Sequence, residues 1–254
     1  TVYYDLAASV PNDAGISAIL SPSSFCPGTE PVTLQLQNFG TAQLTSATLH
    51  WSVNGVTQSP YSWTGLLDSV GGTGQKTANV TVGSYAFTSN APYTIRAWTS
   101  GPNNTVDTIN YNDTTEVTVR AGLTGTFTIG GASPDFSTFT DAVDALNAGG
   151  VCGPVVFNVA AGTYNEAIEL GEIPGANATN TITFDGGSGN AATRILQHSH
   201  TSVGGVITLN GSDYVRIRNL TIKATGTSYG TAVFFSNDAD HNIIEHCVLE
   251  SSTS

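Results

Sequence analysis

The chain has 254 residues and a formal net charge of −12, yet only 10% of its residues are charged. Its seven Lys and Arg form no basic stripe to neutralise phosphates, which argues against a nucleic-acid partner. No apolar run reaches the ~20 residues that a membrane-spanning helix needs, so membrane insertion is not expected.

Thr, Ser, Asn and Gly fill most polar positions. That composition suits many short strands joined by turns, and it predicts an all-β protein. The acidic, Thr-rich character points to an extracellular location. Three cysteines, Cys26, Cys152 and Cys247, lie far apart with no metal-ligand spacing. Their odd count prevents complete pairing within the chain. Each reads as a small core residue, with a Cys152–Cys247 bridge as the alternative. Residues 1–12 read as the tail of an upstream region, since the chain begins without Met or signal peptide.

Residues 13–120 carry short alternating runs: "AGISAIL" (14–20), "VTLQLQN" (32–38), "ATLHWSVNG" (47–55), "TANVTV" (77–82), "YTIRAWT" (93–99) and "TTEVTV" (114–119). In the third run Leu49, Trp51 and Val53 share one face and His50 and Ser52 the other. About seven such strands in ~100 residues is the pattern of an immunoglobulin-like sandwich. Tyr61, Trp63 and Trp98 would suit an aromatic platform for a sugar ring. The competing reading has them covering the second sheet or a domain contact.

Residues 121–254 open differently. Phe139, Ala142, Val143 and Leu146 fall at helical spacing, Thr138 and Asp141 resemble a capping box, and Gly149–Gly150 ends the helix. Four strands then end at Asn or Asp: "VVFN" (155–158), "ITFD" (182–185), "ITLN" (207–210) and "FFSN" (234–237). Their last residues lie 27, 25 and 27 positions apart, one turn of a parallel β-helix. One ladder is expected to run through Val155 and Phe157, Ile182 and Phe184, and Ile207 and Leu209, with Phe234 in the last rung. "VRIRNLTI" (215–222) and "IIEHCVL" (243–249) repeat one strand-corner-strand element, with Asn219 and His246 at the corner and Cys247 in the place of Leu220. The helix would cap the core. The expected fold is thus an immunoglobulin-like β-sandwich followed by a right-handed parallel β-helix with an N-terminal capping helix.

Two resemblances bear on this reading. "VTLQLQNFGTAQL" (32–44) and "TSGPNNTVDTINYNDTTEVTV" (99–119) resemble the CARDB-type module, an immunoglobulin-like adhesion or spacer domain. The helix, "VVFNVAAGTYNEAIEL" (155–170) and "ITFDGGSG" (182–189) resemble the start of a pectin-esterase-type helix of the pectin-lyase-like superfamily, with "GTYNE" (162–166) fitting its largely structural GxYxE signature. The catalytic motifs of that family are missing. Thr231 stands where the family has its oxyanion-stabilising Gln, and Thr253 and Ser254 stand where it has Gln and Asp. Hydroxyls there replace neither the amides nor the carboxylate. A lyase would need clustered calcium-binding carboxylates. Asp213, Asp238 and Asp240 are the candidates, but Asp at a coil corner ordinarily caps a turn, and no metal or cofactor is expected. His198 and His200 form an HxH pair without a third ligand at usable spacing.

The ending of the sequence immediately after a strand leads us to expect further coils in the natural chain. A sandwich before a capped β-helix also resembles the repeat-rich surface proteins of the bacterial type IX export system, where the β-helix is a rigid stalk or glycan-binding surface. "DSV", "DTI" and "DTT" resemble the O-glycosylation motif of some such bacteria, which would place glycans on Ser69, Thr108 and Thr114. The expected function is a non-enzymatic extracellular module in adhesion or as a stalk, with surface polysaccharide or neighbouring domains of one long chain as partners. The rivals are a polysaccharide-active enzyme with catalytic coils after residue 254, and a carbohydrate-binding accessory.

Overall fold

In the computed structural model, which describes residues 10–88, 91–200, 204–226 and 230–251, the chain divides into two compact units, Thr1–Ala121 and Gly122–Ser254. In the first unit, period-two alternation builds an antiparallel sandwich from β1 (Ala14–Ser21), β2 (Gly28–Asn38), β3 (Leu44–Val53), β4 (Val56–Thr57), β5 (Tyr61–Leu67), β6 (Thr77–Phe87), β7 (Tyr93–Ser100) and β8 (Thr114–Val119). One sheet runs β1-β2-β6; the other runs β4-β3-β7-β8, with β5 also on β3. Leu34 and Leu36 of β2 face a core shared with Leu49, Trp51 and Val53 of β3 and Ile95 of β7. The sheets approach closely where Trp51 meets Gly83: a Cβ on Gly83 would lie 2.8 Å from the indole. The Trp51 indole N–H donates to the Ser59 carbonyl at 3.1 Å, so its polar edge is satisfied. Asn54 and Gly55, both at positive φ, close the β3–β4 hairpin.

The second unit comprises β9 (Leu123–Ile129), α1 (Phe139–Gly149), β10 (Val151–Val159), β11 (Gly162–Asn165), β12 (Ile168–Leu170), β13 (Ile182–Asp185), β14 (Arg194–His198), β15 (Gly205–Asn210), β16 (Val215–Arg218), β17 (Thr221–Ala224), β18 (Thr231–Ser236), β19 (Ile243–Glu245) and β20 (Val248–Glu250). They form three sheets, β9-β10-β13-β16-β19, β11-β14-β17-β20 and β12-β15-β18, all parallel. From β10 onward the chain visits the three sheets in the same order, coil after coil. Inward residues stack by register: Phe127, Phe157, Phe184, Ile217 and Ile244 form one column. Within it the Phe157 and Phe184 rings lie 4.9 Å apart at 21°.

The repeated element holds. Ile217 pairs with Ile244 and Ile222 with Leu249, and the corner residues Asn219 and His246 both take positive φ, 58° and 54°. Asn tolerates that conformation better than most residues, which suits it to a tight corner between two sheets. Leu220 is fully buried, and Cys247 one coil on is half-buried against the same core as a free thiol, so the Cys152–Cys247 bridge does not form.

The single expected ladder is corrected. "VVFN" and "ITFD" do stack, in the first sheet, but "ITLN" and "FFSN" belong to the third, where Ile207 and Leu209 lie beside Ile168 and Leu170. The coils are not uniform: Ile182 to Val215 in the first sheet spans 215 − 182 = 33 residues, whereas Val155 to Ile182 spans 27. Loops of different length make a 25-residue interval between different sheets look like a turn. Phe234 is displaced too. Val233 and Phe235 align with Ile207 and Leu209, so Phe234 lies on the outward face with Thr208. A one-residue slip in register exchanges the two faces of a strand.

The helix α1 buries Phe139, Ala142, Val143, Ala145 and Leu146 in the core of this unit. Thr138 and Asp141 form a reciprocal capping box, and Gly150 ends the helix at φ 70°. The "GTYNE" segment fixes it in place. Glu166 accepts hydrogen bonds from the Phe139 and Thr140 amides and the Thr140 hydroxyl, at 3.3, 2.8 and 2.7 Å. A carboxylate there satisfies otherwise orphaned N–H groups at the positive end of the helix. Tyr164 donates to the Ala160 and Ile129 carbonyls, and Gly130 gives its hydroxyl room.

Candidate functional site

Four surfaces hold the residues with chemical potential. On the outer face of the third sheet, Thr231 occupies the half-buried start of β18, paired with Gly205. Thr253 and Ser254 lie outside the described residues. The polar side chains nearby bond to one another across coils. Asn210 donates to Glu169 at 2.6 Å and accepts from Asn237 at 2.6 Å and from Ser236 at 3.3 Å. A shallow concavity of about 440 Å³ lies over them, lined also by His200 and Phe234. His198 and His200 have ring centroids 4.7 Å apart, and His200 Nε2 lies 2.8 Å from the Gly205 carbonyl.

A second concavity, about 710 Å³, opens at the corner between the first and second sheets. Asp185 there accepts from the Asn219 amide at 2.8 Å and the Gly187 N–H at 2.8 Å, and pairs with Arg218 at 3.0 Å. Burial alone would push its carboxyl up. The hydrogen bonds and the guanidinium outweigh burial and hold it below the ordinary carboxylate range. Further round the coil, Asp213 accepts from the Asp240 amide at 2.6 Å, so its role is to cap the next coil. Asp238 and Asp240 are exposed, and Asp238 sits at positive φ in the same turn. Tyr214 stacks on His241 at 4.8 Å and 17°. Of the three calcium candidates, Asp213 thus serves a corner.

The three aromatics of the sandwich do not form one platform. Trp63 is buried, facing the core beside Ala47, while Tyr61 is exposed on β5. Trp98 lies on the opposite face of the sheet, opposite His50 on β3. Alternation is the reason: Trp98 follows the outward parity of Thr94 and Arg96. His50 stacks on the Trp98 indole at 5.4 Å and 10°, and the Arg96 guanidinium stands 5.8 Å from its ring centroid. His50 and Arg96 thus both pack against the Trp98 indole. Thr108 and Thr114 are exposed and Ser69 is half-buried.

The fourth surface has no counterpart among the sequence candidates. Asp13, just before β1, meets Asp107 and Asp113 of the β7–β8 connection, with one oxygen from each inside a 4.8 Å cluster. Asp13 is 5% exposed. Asp107 accepts from the Ala14 and Ile109 amides, both at 3.0 Å, and Asp13 accepts from the Asn112 amide at 2.8 Å. Gly15 permits this approach, because a Cβ there would meet the Asn112 carbonyl at 2.2 Å. Burial, then the charges of Asp107 and Asp13, push Asp113 up to about 6. Burial, reinforced by Asp107 and opposed by Asn112, also raises Asp13. Like charges ~4 Å apart repel by roughly 4 kcal/mol per pair at an effective dielectric of ~20, so the geometry is costly for three bare carboxylates. No sequence signal brings Asp13 to a loop more than ninety residues away, although the Asp/Asn density of that loop marks one half.

No protein-family model matches the chain, and no curated protein does. Among solved structures, a CARDB domain of the PF1109 protein of Pyrococcus furiosus, determined in complex with di-metal ions, is 17% identical over 47% of this chain and 98% of its own, with a TM-score of 0.35. A domain from Methanosarcina acetivorans, named as a cell surface protein, is 21% identical over 44% of this chain and 92% of its own, at 0.36. A family 28 exopolygalacturonase of Yersinia enterocolitica is 11% identical over 83% of this chain but 40% of its own, at 0.24. None of these likenesses is strong enough to place the chain in a family.

Proposed function

We propose that the chain is a non-enzymatic module of an extracellular bacterial surface protein, serving as a stalk or in adhesion. In this reading the first unit is an immunoglobulin-like domain of the CARDB kind, in keeping with its two antiparallel sheets and their strand order. The second unit is a right-handed parallel β-helix of the pectin-lyase-like kind; right-handed crossovers are the rule between parallel strands.

The observation that carries the reading is the use of the outward polar groups. Glu169, Asn210 and Asn237 bond to one another across coils, as do Asn165 with Gln197 and Lys223 with Glu250. Groups held in coil-to-coil bonds stiffen a stack, as a stalk requires. The test is incubation of the chain with methyl-esterified pectin and polygalacturonate. We expect no methanol, no new reducing ends and no unsaturated uronate; sustained release of any of them would sink the proposal.

A second reading, a carbohydrate-binding accessory, draws on the concavity beside Phe234, His200 and Asn210. It predicts retention of the chain on a polysaccharide gel, lost on Phe234→Ala.

A further inference from the structure

We propose that the concavity at the corner between the first and second sheets binds a sugar residue that carries no carboxylate. The inference rests on the adhesion reading above and names a ligand for it. One wall is the loop between β13 and β14, through Ser188, Ala191 and Ala192. The floor is formed by the tight corners of the next two coils, Arg218–Asn219 and Glu245–His246. The wall is fixed in advance. The Thr221 hydroxyl donates to the Ala191 carbonyl at 3.0 Å, and the Asn190 and Thr193 amides close turns within the loop at 3.2 and 3.0 Å. Gly186 lets the loop approach the floor, since a Cβ there would collide with the Asn219 carbonyl. A preformed cavity of about 710 Å³ has the size of a small-ligand site.

The floor decides the chemistry. Asp185, Arg218 and Glu245 lie side by side in register, one per coil. Arg218 engages Asp185 through one terminal nitrogen at 3.0 Å, and its Nε is buried without an acceptor. The ion pairs among the described residues, Arg218–Asp185 and Lys223–Glu250, leave Glu245 without a cation. Guanidinium donors thus stand beside a carboxylate acceptor, and two carboxylates against one guanidinium leave a net negative charge. A hydroxyl both donates and accepts, so neighbouring hydroxyls of a sugar meet Glu245 and Arg218 together. Ala191, Ala192 and Val248 add an apolar side of small groups for the C–H face of the ring. An acidic sugar fits worse, because Asp185 already neutralises the guanidinium and Glu245 repels a further carboxylate.

The test follows backbone amide shifts of the whole chain during titration with cellotetraose, mannotetraose and galactotetraose, and with tetragalacturonate as the acidic comparison. We expect at least one neutral oligomer to bind with Kd on the order of 10⁻³ M or tighter, and tetragalacturonate at least about tenfold more weakly. Ala192→Trp fills the cavity from an exposed position and should abolish binding with the unfolding midpoint unchanged; Ser188→Trp, also exposed, should do the same. Glu245→Gln keeps an acceptor and removes the charge, so it should narrow the margin over tetragalacturonate roughly threefold or more. Phe234→Ala should leave binding intact, which separates this corner from the concavity on the third sheet. Failure of every neutral oligomer to bind would overturn the proposal. So would binding that survives both tryptophan variants, that is lost on Phe234→Ala, or whose margin Glu245→Gln leaves unchanged. Turnover of pectin or polygalacturonate would end the reading above without bearing on this result, whereas absent neutral-sugar binding alone would leave the stalk reading standing.

Discussion

Glu166 shows how one side chain can join two elements. Its carboxylate reaches from the β11 end to the first turn of α1, where it takes two backbone N–H groups and a hydroxyl. Glu166→Ala leaves those donors without a carboxylate partner and should cost about 1–3 kcal/mol, measured by urea unfolding. Asp185 gives a pH signature. Its folded pKa is depressed below 3.8, so its contribution is complete above that pH and is lost as pH falls through the depressed value. Unfolding midpoints collected from pH 5 down to pH 2 should fall more steeply for the parent than for Asp185→Asn. Parallel curves would show that the Asn219 and Arg218 contacts are not maintained in solution. These roles were half legible in the sequence. The "GTYNE" signature marked Glu166 as structural, whereas the Asp13 cluster depends on a tertiary approach that no local pattern encodes.

At the scale of elements, the sequence read best where one side-chain parity served one buried face. The helix and its capping box follow from a 3.6 period and Thr138, and the β16–β17 and β19–β20 elements follow from a repeated apolar pattern. Reading failed where two sheets shared one interval. Asn158, Asp185, Asn210 and Asn237 look alike because strands of the first and the third sheet both run to an Asn or Asp near their ends, and loop length hides which sheet each serves. Strands β5 and β12 escaped as well: β5 buries only Trp63 and Leu67 of its seven residues, so no alternation stands out, and β12 is three residues long. The aromatic column offers a direct check on register. Phe157, fully buried between Phe127 and Phe184, should lose about 3–5 kcal/mol on change to Ala. Phe234→Ala should cost under half of that, because the side chain lies on the outward parity of β18. Equal losses in guanidinium unfolding would restore the inward placement of Phe234.

Across the whole molecule, two kinds of β-structure meet different physical demands. The antiparallel unit closes one core between two sheets, while the parallel unit extends its core one coil at a time and so must bond each coil to the next. Its outward polar side chains are accordingly the place where structural and catalytic readings diverge. Asn210 is the centre of that question, with a carboxylate below and an amide and a hydroxyl above. The most direct measurement is chemical denaturation of Asn210→Ala beside the parent, with polygalacturonate present and absent. The account predicts a loss of about 1–3 kcal/mol that the polymer leaves unchanged. Unaltered stability, together with a polymer-induced stabilisation of the parent that the variant lacks, would contradict it and make Asn210 a ligand-binding residue.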